Sequence, residues 1–166
     1  MERLVASAIP DEALSKWGGE GRALVFSHAN GFPPATYRVL LGELTSRFCV
    51  RTFAARPLWP SSDPAAVGSW RELADDLERT LVDHGLAGAV GLGHSMGGVL
   101  SLMVASHRRD LLSALALIDP VFFTGPRAVS WGLLQRLGGA RRLPLVQGAL
   151  RRRDRYPDRD EVTRSY

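Results

Sequence analysis

Residues 89–105, AVGLGHSMGGVLSLMVA, decide the fold. Ala89 to Gly93 form a short apolar run of strand type, while VLSLMVAS from Val99 is apolar on nearly every side, the pattern of a helix in the middle of a domain. Between them Gly93-His94-Ser95-Met96-Gly97 reads G-x-S-x-G. A serine at that place must sit on a sharp turn in a strained backbone conformation. Residues two positions either side must then lack side chains, so that strand and helix can approach closely. Gly93 and Gly97 meet that need. The turn lifts the Ser95 hydroxyl clear of the sheet edge, and the first N–H groups of the helix point at an oxygen bound beside it. Ser95 is therefore the candidate nucleophile, and the Met96 backbone N–H a candidate donor to a developing oxyanion.

Outward from this turn, short apolar runs alternate with amphipathic helical windows, as in α/β folds with parallel strands. A polar N-terminal stretch holds a possible strand at Leu4 to Ala8; Ala23 to Ser27 reads as a buried strand, followed by the loop HANGFPP. Tyr37, Leu40, Leu41, Leu44 and Phe48 recur at helical spacing and predict one apolar stripe facing a sheet. Cys49 to Phe53 predicts the next strand, and residues 55–68, ARPLWPSSDPAAVG, an irregular surface loop in which Trp59 lines a pocket or packs. Ser69-Trp70-Arg71-Glu72 has the S-x-x-E form of a reciprocal helix cap. Trp70, Leu73, Leu77 and Leu81 mark the buried face of that helix, while Arg71, Asp75, Asp76, Glu78, Arg79 and Asp83 predict a solvated one; Gly85 ends it. A further strand is predicted at Ala114 to Ile118, and beyond Pro126 arginine-rich helical pieces at 131–137 and 145–152.

The 166 residues suit one domain, and 45% hydrophobic with 23% charged residues is globular composition, too apolar for a disordered tail. No apolar stretch approaches the ~20 residues of a membrane span, and the first residues lack the pattern of a secretory signal. A cytoplasmic protein without a membrane partner is the expectation. The single cysteine, Cys49, has no internal partner and reads as a small buried hydrophobe. A net charge of +4 invites a nucleic-acid reading, but residues 1–121 are net negative and the excess sits in residues 122–166. Twenty of the 21 basic residues are arginine, with Lys16 alone. Arg151, Arg152 and Arg153 read as a solvated helix face, because no aromatic stacking pattern accompanies them, and no nucleic-acid partner is expected.

With its GHSMGG turn and His28-Ala29-Asn30-Gly31-Phe32-Pro33-Pro34 loop after an earlier strand, the sequence resembles the α/β-hydrolase fold family. The resemblance covers residues 20–121 well. It implies a mostly parallel sheet with flanking helices, a serine nucleophile, no cofactor, and a small-molecule ester-like substrate. In that setting the loop must supply the second oxyanion donor. Gly31 lets its backbone turn inward, the Phe32 N–H is the first candidate and Asn30 the second. Residues 1–121 are then the N-terminal part of the hydrolase core, and 122–166 the start of a helical cap. Asp119, ending a strand in Leu117-Ile118-Asp119-Pro120, is a possible acid in family variants that place one there.

The departures from the family are as informative. Its chain order of nucleophile, acid and histidine requires a late histidine. Only His107 follows Ser95, twelve positions along the apolar helix, and at ~1.5 Å per residue that puts it ~18 Å away. His94 at a sharp turn diverges from its neighbour and packs into the sheet, and His28 belongs to the loop. The chain is therefore expected to be the front part of a longer hydrolase, truncated within its cap. As it stands it should turn over p-nitrophenyl acetate no faster than a Ser95→Ala variant, because a hydroxyl without a base is a feeble nucleophile. The strand at Ala114 to Ile118 would leave an apolar sheet edge open to self-association. Two other readings compete. A noncatalytic hydrolase-fold binding protein would explain the missing base. A dinucleotide-binding module would use Gly91, Gly93 and Gly97 with Asp119, but Met96 breaks the strict glycine pattern and strand-helix units precede it.

Overall fold

A computed structural model describes residues 9–60, 62–63, 66–122, 157–158 and 160–161. The chain divides into two units, Met1–Phe122 and Phe123–Tyr166, and every element named below belongs to the first. The possible strand at Leu4 to Ala8, the arginine-rich helical pieces and most of the expected cap lie outside the described residues.

Five strands form one sheet in the order β1-β3-β2-β4-β5. They are β1 (Leu14–Gly18), β2 (Ala23–Ser27), β3 (Cys49–Phe53), β4 (Ala89–His94) and β5 (Leu112–Ile118). Only β1 runs antiparallel; β3, β2, β4 and β5 are parallel. Helices α1 (Arg38–Leu44), α2 (Trp70–Asp83) and α3 (Met96–His107) join them. β1 lies in a stretch whose polar composition hides it: within LSKWG only Leu14 is buried, with Trp17 half-buried, so no strand-period alternation stands out.

The central strand explains the two-sided core. Successive side chains of a strand point to opposite faces, so Leu24 and Phe26 join Leu41, Val50 and Leu92 on the α1 side. Val25 joins Leu73, Leu77, Leu81, Leu100 and Val104 on the side of α2 and α3. A strand covered on both faces reads as an unbroken apolar run, which is why ALVFS was legible. Full burial of each such side chain stabilises by ~1.5–3 kcal/mol. β5 differs, with Ala114, Ala116 and Ile118 exposed, and among the described residues it pairs on one side only.

Helix α2 buries Leu73, Leu77 and Leu81 as their spacing predicts. Its first turn departs from expectation. Ser69 Oγ donates to Glu72 Oε1 at 3.3 Å instead of capping the helix backbone, Glu72 Oε2 accepts from the Gly68 N–H at 3.4 Å, and Trp70 is 39% exposed. Asp76 corrects the reading of a solvated face: it is 0% exposed. Its carboxylate takes the Arg56 guanidinium in a two-point bond, both contacts at 2.8 Å, and also accepts from Arg79. Helical periodicity describes one helix alone, and it has no means of showing that the segment carrying Arg56 crosses this face.

The order of strands positions the site. From β2 the chain moves to β3 on one side and then to β4 on the other, so the C-terminal ends of β2 and β4 flank a change in winding direction. Open α/β sheets bind ligands at such a switch. Ser27, the last residue of β2, pairs with Gly93 of β4, which brings the HANGFPP loop and the Ser95 turn out of the sheet side by side.

Candidate active site

Ser95 makes the turn between β4 and α3 with φ 49° and ψ −114°. Among the described residues only it and Asp119, at φ 41°, are non-glycine residues with positive φ. Such a conformation costs ~1–3 kcal/mol and persists only where neighbours enforce it. Here they do. A Cβ at Gly97 would collide with the Ser27 carbonyl, and one at Gly93 would meet Gly97 O and the Gly98 backbone at 2.5 Å. The Ser95 N–H donates to Ile118 O at 2.9 Å, tying the turn to the tip of β5.

The serine side chain does not cap α3, so its hydroxyl is not spent on the helix. The first intrahelical bond runs from the Val99 N–H to Ser95 O at 3.2 Å, and the N–H groups of Met96, Gly97 and Gly98 precede any helical acceptor. Met96 is buried with its side chain in the core, which leaves its backbone N–H as its contribution to the site. The end of a helix dipole adds positive potential there.

His28 is 4% exposed and both its ring nitrogens are engaged. Nδ1–H donates to Ala29 O at 2.8 Å, and Nε2 accepts the Ala55 N–H at 3.0 Å. Burial holds its imidazole below the ordinary range, partly offset by the carbonyls of Ala29 and Phe32. A neutral ring with two partners organises the loop and is not free to take a proton from Ser95. Gly31 turns the backbone at φ 79°. The Phe32 N–H donates to Ala29 O at 3.1 Å, so as an oxyanion donor it would be shared with that carbonyl.

His94 is half-buried, with Nδ1 2.7 Å from the Tyr37 hydroxyl. The same hydroxyl oxygen accepts the Ala29 N–H at 3.2 Å. The Tyr37 ring lies 4.6 Å from that of Phe26 and 5.7 Å from that of His94, centroid to centroid. His107 sits at the far end of α3, where Nδ1–H donates to Met103 O and Nε2 meets Glu78, each at 2.8 Å. Burial would raise the Glu78 carboxyl, but hydrogen bonds from His107 and Arg108 outweigh it and hold the group below the usual carboxylate range. Asp119 is exposed, one residue beyond the carbonyl that anchors Ser95.

The structure thus brings together the Ser95 turn, the Met96 N–H and the loop bearing Phe32, and keeps His28 and His107 occupied elsewhere. Sequence reasoning missed the Tyr37 hydroxyl and the Ala55 N–H. The first carried one signal, a hydroxyl-bearing residue in an otherwise apolar stripe; the second carried none. Trp59 packs, its indole N–H donating to Ala54 O at 2.8 Å. Among the described residues no group of three or more His, Cys, Asp or Glu side chains could hold a metal ion, and no helix is long and apolar enough to cross a membrane.

The sequence matches the alpha/beta hydrolase family over residues 24–165. The chain belongs to that family. Solved structures similar to this chain include a thermophilic esterase from Thermogutta terrifontis, at 25% identity and a TM-score of 0.61, covering 80% of this chain and 48% of that one. A hydrolase from Pseudomonas aeruginosa matches at 25% identity and a TM-score of 0.60, covering 79% and 48%. An N-formylmaleamic acid deformylase from Pseudomonas putida matches at 26% identity and a TM-score of 0.59, covering 74% and 52%. The chain spans about half the length of each. No curated protein matches it significantly. Within this fold Gly91, the first glycine of the dinucleotide-like pattern, has a packing reason: a Cβ there would come within 2.7 Å of the Leu115 side chain on β5.

Proposed function

We propose that this alpha/beta hydrolase cleaves an ester-like bond of a small molecule through Ser95. One observation carries the reading: a serine held at φ 49° between β4 and α3, its hydroxyl not used to cap the helix, beside first-turn N–H groups that have no intrahelical acceptor. Ser95 Oγ attacks the carbonyl carbon, forming a C–O bond as the carbonyl π electrons move to oxygen. The oxyanion is met by the Met96 N–H and by the Phe32 N–H, shared with Ala29 O. Collapse expels the alcohol and leaves an ester on Ser95, which water then hydrolyses. Preorganised N–H donors of this kind are worth roughly 2.7–4 kcal/mol each in the transition state.

The hydroxyl proton requires a base. His28 and His107 hold other partners, and His94 is tied to Tyr37 through Nδ1. His84 Nδ1 is likewise bonded to Thr80 O, so none of these histidines is assigned as the base, and Asp119, beside the turn, is assigned as the acid that would orient one. These residues alone should then acylate slowly and fail to turn over. Incubation with p-nitrophenyl acetate followed by peptide mass spectrometry tests this. The expected result is an acetyl group on Ser95, with steady-state p-nitrophenolate release no faster than from Ser95→Ala. Acetylation spread equally over wild type and Ser95→Ala would favour the noncatalytic binding protein.

A further inference from the structure

The HANGFPP loop and the Ser95 turn come from strands far apart in sequence, yet one hydroxyl touches both. Tyr37 stands in the 3-10 turn Pro34–Tyr37 that leads into α1. Its oxygen accepts the Ala29 N–H at 3.2 Å and lies 2.7 Å from His94 Nδ1. Ala29 is the residue whose carbonyl receives both the Phe32 N–H and the His28 Nδ1–H. His94 is the residue immediately before Ser95. The Ala29 amide donates to the tyrosine oxygen, so the one phenolic proton is available to the nearer partner, His94 Nδ1, and the neutral imidazole then carries its own proton on Nε2. An N–H···O–H···N chain of this kind polarises along its length and is directional.

We infer that Tyr37 is a positioning residue that fixes the spacing between the loop donor and the nucleophile, with His94 as its anchor on the elbow. The inference rests on the proposed role of Ser95 for its catalytic meaning, but the coupling itself is a property of the fold. Separation of the two donors that meet an oxyanion is the quantity such a clamp controls, since those donors must lie near 2.7–3.1 Å from where the charge develops. Loss of the clamp should therefore slow acylation without weakening the first encounter with substrate. The ring of Tyr37 also packs on Phe26, so Tyr37→Phe keeps the packing and removes the hydroxyl alone.

Two measurements on the 166-residue chain test this. In the first, hydrogen exchange of the Ala29 amide is compared in wild type, Tyr37→Phe and His94→Leu. His94 makes no hydrogen bond to Ala29, so a merely local role for Tyr37 leaves His94→Leu at wild-type protection. The clamp instead has both variants lose roughly threefold to tenfold protection at Ala29, the loss of one neutral hydrogen bond. The amides of Val25 and Leu92 serve as controls and should not move. Unchanged Ala29 protection in His94→Leu overturns the coupling. In the second, the rate of Ser95 acetylation is followed against p-nitrophenyl acetate concentration. Tyr37→Phe is expected to lower the limiting rate about tenfold with the half-saturating concentration unchanged. A wild-type limiting rate in Tyr37→Phe overturns the positioning role. Absence of Ser95 acetylation in wild type counts against the proposed function instead, and the exchange measurement then decides the clamp by itself.

Discussion

The two halves of the site are built by different means. The Ser95 turn is shaped by local steric rules: Gly93 and Gly97 admit backbone that any side chain would repel, and Ser95 takes a strained φ of 49° between β4 and α3. The His28–Pro34 loop is shaped by long-range hydrogen bonds. His28 reaches Ala55, 27 residues away, and Tyr37 reaches His94, 57 residues away. A turn built from absences of side chains is written into five consecutive residues. A loop built from partners is assembled only when the sheet has formed.

This contrast can be broken experimentally, and the largest effect belongs to the elbow. Gly97→Ala places a methyl group against the Ser27 carbonyl and is expected to cost upward of about 3 kcal/mol, as overpacking against rigid backbone does. Urea denaturation of that variant reads the loss, and a wild-type midpoint would show that helix and strand have room to part.

The next effect belongs to the loop side. Asp76 holds Arg56, which directly follows the Ala55 whose N–H meets His28. Asp76→Ala removes the buried carboxylate from the 21% exposed Arg56, which keeps only Glu72 at 3.9 Å, and takes one partner from Arg79, so about 2 kcal/mol is expected, discounted from a fully buried pair for solvent screening. The same denaturation series measures it. His28 side-chain resonances should also shift in Asp76→Ala and stay in place in Gly42→Ala, a change where an added Cβ meets nothing within 4 Å.

A smaller effect follows from the neutral His28. Its folded pKa lies below the unfolded value of 6.5. The folded state therefore binds fewer protons, and stability is fully present above 6.5 and falls as pH drops below it toward the folded value. The slope is at most about 1.4 kcal/mol per pH unit for one proton. Melting curves between pH 7.5 and 5 should lose this component in His28→Gln, whose baseline stability is lower but flatter. Equal slopes in both proteins would mean that folding leaves the His28 pKa where it is in the unfolded chain.

The smallest effect has the opposite sign. Ser95→Gly removes the cost of positive φ and is expected to stabilise by about 1 kcal/mol, raising the melting temperature while abolishing acetylation. A destabilised Ser95→Gly would mean that the serine hydroxyl contributes to the turn after all.

Legibility followed the same division. The strands β2 to β5, the buried stripe Leu73, Leu77 and Leu81, and the Ser95 turn were readable because each follows from spacing within a dozen residues. β1 was not, because an edge strand flanked by polar residues buries too little to leave a periodic trace. Asp76 was read as solvated because its partner Arg56 precedes it by 20 residues across an irregular loop. His94 was expected to pack into the sheet, and its tie to Tyr37 depends on the turn Pro34–Tyr37 bringing that ring onto Phe26 of β2.

Residue order is enough to show which turn is strained, which faces of the strands and helices are apolar, and that a serine stands between two glycines where only such residues fit. These are consequences of backbone sterics and of period, which act over a few residues and need no partner. Folding alone makes His28 a neutral, doubly bonded ring, buries Asp76, and lets one tyrosine hydroxyl join the loop to the elbow. Hydrogen bonds and buried charges are defined by pairs, and the second member of each pair becomes a neighbour only after the sheet brings distant segments to one edge.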